Sequence, residues 1–135
     1  MTSNLPLDAP FQRLRTLRKM LLRLHKALLN WERSIYEREH GRIQNNGEFF
    51  RLVVGHEWFD WLRPMSQFIV RIDEALSAKE PATLSEVNQI LGDARSLLRV
   101  NEEGTESEQR YYEAIQRSPD IAFMHAEVSQ LLNKP

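Results

Sequence analysis

Three observations predict an all-α protein, an up-and-down bundle of four helices. Leu14, Leu17, Leu21, Leu24, Leu28, Trp31 and Ile35 alternate strictly by three and four residues, the spacing of a flank that packs along other helices. The breaks carry helix-end chemistry: Gly41 follows the first amphipathic run, and the pairs Thr83/Glu86 and Thr105/Glu108 have capping-box spacing ahead of two later runs. No alternating strand pattern bounded by turn signals occurs, and no internal repeat.

Residues 1–9 read as a flexible leader, because Pro6 and Pro10 interrupt any pattern. The remainder, 10–135, reads as one helical domain, long enough at 41% hydrophobic content to bury a core without metal or disulfide support. The first helix should span about 10–40. Its seam is flanked by Met20, Leu22, Ala27, Leu29 and Tyr36, more apolar circumference than one neighbour covers, so it should touch two neighbours or one neighbour and a dimer partner. Gly41 is placed to take a left-handed conformation beyond the last turn. The polar stretch Arg42–Gly47 is then a loop.

The second helix should run over about 48–78. Val54, Trp58, Trp61, Met65, Phe68 and Ile72 make its core face, and the phase continues through Pro64. Pro64 lacks a backbone donor and frees the carbonyl of Asp60, so one helix kinked at that point is expected. The third helix, about 84–100, carries Leu84, Val87, Leu91, Ala94 and Leu98. The fourth, about 105–133, changes phase at Pro119, which with Ser118 as N-cap predicts a break or sharp kink.

Composition removes several chemistries. The chain has no cysteine, which excludes thiol catalysis, thiolate metal sites and disulfides, and fits a reducing, cytoplasmic setting. No apolar run approaches the roughly 18 residues of a membrane span, and the acid Asp8 ahead of the first base does not fit a signal peptide. Phosphate loops, nucleophile elbows and zinc helices are absent among the motifs. One Glu-x-x-His pair, Glu37 and His40, occurs where a di-metal bundle needs two. No metal and no cofactor are therefore expected.

Charge is uneven along the chain. Residues 1–47 hold nine Lys and Arg against four acids, and residues 48–135 hold nine against fifteen. The basic outer face of the first helix should neighbour acidic faces of the other helices or of a second subunit, or else meet an anionic partner. Nucleic acid is disfavoured, because that face lacks interleaved aromatics and the pI is near 6.4.

Matching levels across the bundle at about 1.5 Å per residue puts Trp31, Gly55, Trp58, Trp61, Gly92 and Tyr112 in one layer. These are the candidate lining of a pocket for a small apolar ligand, or simply large rings packed against small residues. On the neighbouring polar stripe His56 and Asp60, with Glu57 and Arg63 close by, are the candidate catalytic cluster, since an imidazole bonded to a carboxylate can act as a general base or phospho-acceptor. A helix-surface pair of little consequence is the competing account. The resulting expectation is an interaction protein that forms a homodimer and binds a protein partner or small apolar ligand, with an enzyme or phosphotransfer module at His56 and Asp60 as one alternative and anionic-partner binding through the first helix as another.

Overall fold

The computed structural model describes residues 5–133. Among these residues the chain is all helical: α1 (Leu5–His40), α2 (Asn46–Gly55), a 3₁₀ segment (Glu57–Leu62), α3 (Arg63–Ser77), α4 (Leu84–Leu97), α5 (Glu106–Arg117) and α6 (Pro119–Leu132). Helix α1 includes residues 5–9 of the expected leader and keeps Pro10 inside it; residues 1–4 lie outside the described residues. No helix of the described residues is long and apolar enough to cross a membrane.

Helix α1 is the member around which the others pack, touching α3, α4, α6 and the 3₁₀ segment. Leu14, Leu17, Leu21, Leu24 and Leu28 are completely buried, and Met20, Ala27 and Leu29 pack against the same core. The broad apolar circumference of α1 is thus used by neighbours within the fold. Leu22 is the part of it left open, 40% exposed. Gly41 ends the helix at φ 91°, the left-handed conformation expected of it.

The continuous helix expected over 48–78 is corrected to two helices and a 3₁₀ turn. Helix α2 ends at Gly55, His56 is extended, and the backbone restarts as Glu57–Leu62. Pro64 lies in the first turn of α3, where its missing N–H would have had no intrahelical partner, so the ring begins a helix instead of bending one. The 3₁₀ segment has three residues per turn, and the buried side chains follow that spacing: Phe59, Leu62 and Met65 face the core. The expected series Val54, Trp58, Trp61 is displaced by one residue, with Val54 exposed. Arg63 bridges the break, donating to the carbonyl of Val54 at 2.9 Å and so satisfying an orphan acceptor of α2.

The remaining helix ends follow their caps. In both capping boxes the threonine accepts from the backbone N–H three residues on, and the glutamate accepts from the threonine N–H. Ser118 separates α5 from α6, its hydroxyl accepting from Ile121 N–H while Pro119 opens the new helix. Six α-helices and one 3₁₀ segment therefore stand where four helices were expected.

Candidate functional site

Glu32 is the one charged residue buried in the described chain, 2% exposed. It lies where the heptad reading put Trp31. A straight helix turns about 100° per residue, so Glu32 falls roughly 40° from the mean direction of Leu14–Leu28 and Trp31 roughly 60° to the other side. The carboxylate takes the inward place and the indole of Trp31 is left half-buried.

The 3₁₀ turn supplies the partners. Residues i and i+3 eclipse one another in this geometry, so the indoles of Trp58 and Trp61 point the same way and their N–H groups reach one carboxylate. Trp58 Nε1 donates to Glu32 Oε1 and Trp61 Nε1 to Oε2, both at 3.0 Å. Arg110, from α5, donates to Oε1 at 3.0 Å. Its guanidinium lies 5.4 Å from the Trp58 ring and 5.8 Å from the Trp61 ring. A buried carboxylate is costly unless paired and hydrogen-bonded; here a cation and two N–H donors do both, and no buried side-chain polar atom of the described residues lacks a partner.

A second set of rings extends the cluster. Tyr36 stacks on His40 at 4.3 Å and meets His56 and Trp58 edge-on at 5.6 Å. His40 meets Trp58 edge-on at 5.4 Å. His56 caps the 3₁₀ turn, its Nδ1 accepting from Trp58 N–H at 3.0 Å; in the neutral ring the proton is therefore on Nε2. Of these rings His40, His56 and Trp58, together with Trp61, line an open cleft of about 860 Å³, with Tyr36 packed behind them. Its apolar surface comes from His40, His56, Trp58 and Trp61, its rim carries Glu57, Asp60 and Glu106, and Arg110 lies across the indoles.

The expected site residues divide. His56, Glu57, Asp60, Trp58 and Trp61 share the cleft. No hydrogen bond joins His56 to Asp60 among the described residues: the imidazole Nδ1 is given to Trp58, and Asp60 pairs with Arg63 at 2.9 Å. The two positions straddle a helix cap and a 3₁₀ turn, so the i, i+4 spacing of an α-helix does not apply to them. Arg63 is outside the cleft, tied to α2. Trp31 opens instead onto a separate groove with Ile35, Arg38, Glu39, Glu113 and Arg117. Gly55 is exposed, and a Cβ built there would meet nothing within 4 Å. At Gly92 the nearest such neighbour is an Arg95 nitrogen at 4.0 Å, not an indole. Tyr112 is half-buried and does not line the cleft. The level count failed for Gly55 because it ran one α-helix through 48–78, whereas the chain turns at the extended His56 and α2 lies back against the 3₁₀ segment, Phe49 meeting Phe59 at 5.9 Å.

Glu32, Tyr36, His40 and Arg110 are the residues that the sequence did not single out as a site. Glu32 had a signal in the helical phase. Arg110 had none, since only the tertiary placement of α5 brings it to a residue 78 positions away.

A separate polar chain joins α5 to α6. The buried Tyr111 hydroxyl is 2.7 Å from His125 Nδ1, and His125 Nε2 is 3.4 Å from the Ser129 hydroxyl. Burial pushes the Tyr111 phenol well up and holds His125 below its ordinary 6.5, so both favour their neutral forms. Among the described residues no three His, Asp or Glu side chains converge on a metal-sized site. No family model, no curated protein and no solved structure matches the chain.

Proposed function

We propose that the chain is a binding protein whose aromatic cleft accepts a cationic side chain presented by a protein partner. The observation that carries this is the fixed posture of Trp58 and Trp61, held by their N–H bonds to Glu32 beneath a rim of acids. Arg110 is balanced by Glu32, and Arg63 by Asp60. Glu57 is left as an uncompensated rim charge, and Glu106, 82% exposed, is held only by a 3.7 Å contact to Arg110. Ring faces and edges beside uncompensated carboxylates suit a guanidinium or ammonium group, which gains about 0.5–2 kcal/mol from an aromatic face according to how far it is desolvated. Rings already locked in place lose little freedom on binding.

The scaffold for this role is a single all-helical domain in which α2 lies back against the 3₁₀ segment, Phe49 meeting Phe59 at 5.9 Å, and α6 lies back against α5 through Tyr111 and His125. Catalysis at His56 and Asp60 has less support, because each group is already bonded elsewhere and neither orients the other. A small apolar ligand fits the rings but leaves the rim acids without a purpose.

Two of the three tryptophans line the cleft, so intrinsic fluorescence reports on it. Titration with a nona-arginine peptide should give a saturable change, weakened at about 0.5 M salt by screening of the rim charges. Glu57→Gln with Glu106→Gln should abolish most of it, and a nona-glutamate peptide should give none. An unchanged response in the double variant, or none in the native chain, would remove the proposal.

A further inference from the structure

We infer that the cationic partner is a second copy of this chain, which presents the outer face of its α1 to the cleft in a twofold dimer. The inference rests on the cation-accepting cleft just proposed and identifies its occupant.

From Ala9 to Trp31 the sequence contains no acid and six Lys and Arg. Arg18 is turned to the side and pairs with Asp73. Arg15, Lys19, Arg23 and Lys26 are exposed, on the side of α1 opposite its leucine seam, and no ion pair engages them among the described residues. The acidic neighbour that the same fold supplies is Asp73 of α3, which pairs with Arg18 and shares a groove with Arg15 and Lys19 without an ion pair to either. The four exposed bases form a straight ridge roughly 17 Å long at 1.5 Å per residue, with Leu22 exposed among them. A row of like charges on a helix repels itself, and an acidic partner surface relieves that repulsion.

The same helix reaches the cleft at its other end, through His40. The middle of the ridge and His40 are roughly 29 Å apart along α1. Viewed down the axis at about 100° per residue, His40 lies within roughly 60° of Arg15, Lys19 and Lys26, so ridge and cleft open on the same side. A twofold axis across α1 near Asn30 therefore lays the ridge of each copy against the cleft of the other. Asn30 is neutral and exposed, which keeps like charges away from the axis. One operation makes both contacts, so the assembly closes at two copies instead of growing into a filament.

Charge exchange tests this. Sedimentation equilibrium over a concentration series should give a dimer at low salt that dissociates as salt is raised. The ridge variant Arg15→Glu, Lys19→Glu, Lys26→Glu, and the cleft variant Glu57→Lys with Glu106→Lys, should each be monomeric, with association weakened roughly tenfold or more by like charges brought together. All five positions are exposed, and far-UV circular dichroism checks that both variants keep their helix content. Mixed in equal amounts, the two should associate again, because the reversed ridge meets the reversed cleft and the native ridge meets the native cleft. Restored association in the mixture is the result expected. A native chain that stays monomeric, or a dimer untouched by either variant, overturns the inference. Neither outcome touches the cation-accepting cleft, which the arginine-peptide titration of the ridge variant, whose cleft no second copy fills, decides on its own.

Discussion

Along α1 the inward face changes chemistry without changing period. From Leu14 to Leu28 it presents five leucines, all completely buried; one turn further it presents Glu32, equally inaccessible but held by two indole N–H groups and a guanidinium. The leucine half gains from every apolar contact, tolerates small shifts and needs no defined orientation. The glutamate half works only if three donors from two other elements arrive at set distances. Stability is supplied by the first half, whereas the second fixes where the tryptophans point.

Breaking the leucine half should have the largest effect. Leu24→Ala removes a fully enclosed side chain and should cost about 3–5 kcal/mol by lost transfer energy and the cavity left behind, measured by urea denaturation. Binding at the cleft should survive in the fraction that folds. Glu32→Ala should cost less, about 2–4 kcal/mol, because Arg110 is partly exposed and water can reach it once its buried partner is gone. Its effect on the cleft should be larger than that of Leu24→Ala, since Trp58 and Trp61 lose what holds them. A shift in tryptophan emission at temperatures where the variant is still folded separates the two halves; unchanged emission would mean that packing alone orients the indoles.

The leucine half was legible because burial and helical period leave the same trace in a sequence, a fixed spacing of apolar residues. The caps at Thr83 and Thr105 were legible for a similar reason, being local contacts between positions three apart. The site was only half legible. Trp58, Trp61 and His56 drew notice by residue type, but their geometry depends on a 3₁₀ turn, and apolar spacings of three and four do not distinguish that turn from an α-helix over six residues. Pro64 can kink a helix or start one, and the apolar phase on both sides of it favoured the wrong choice. Arg110 was invisible because its partner is set by tertiary packing. Local consistency reveals elements, and a site assembled from three of them appears only once they are packed.

A cap variant sharpens the contrast from a third direction. Thr105→Ala removes the hydroxyl that accepts from Glu108 N–H at the start of α5, at a cost of about 1 kcal/mol. Because α5 carries Arg110, weaker arginine-peptide binding in this variant beyond what unfolding explains would show that the glutamate half depends on the anchorage of α5.

The two histidines below their ordinary pKa give a gentler dependence. Burial lowers both His25 and His125, so the folded chain binds fewer protons than the unfolded one when pH falls past 6.5. Their contribution to stability is complete above that value and shrinks as pH drops, so the midpoint of thermal unfolding should fall between about pH 7 and pH 5. His125→Gln keeps a hydrogen-bonding group near Tyr111 and should flatten the fall; an unaltered slope would remove His125 from the account.

The smallest effect is expected on α2, the helix with no buried residue. Phe50 and Val54 are 69% and 56% exposed and stand one turn apart, while Phe49 beside them does the packing, against Phe59 at 5.9 Å and under the guanidinium of Arg33 at 4.7 Å. Phe50→Gln therefore removes almost no burial from the folded chain and should change stability by less than about 0.5 kcal/mol. Phe49→Gln, one residue away and the same in chemistry, should cost distinctly more, because it strips Phe59 and Arg33 of a shared neighbour. Urea denaturation of the pair reads the difference. Equal losses would mean that α2 is held by its outer face, and would place a covering surface on Phe50 that the leucine and glutamate halves of α1 do not provide.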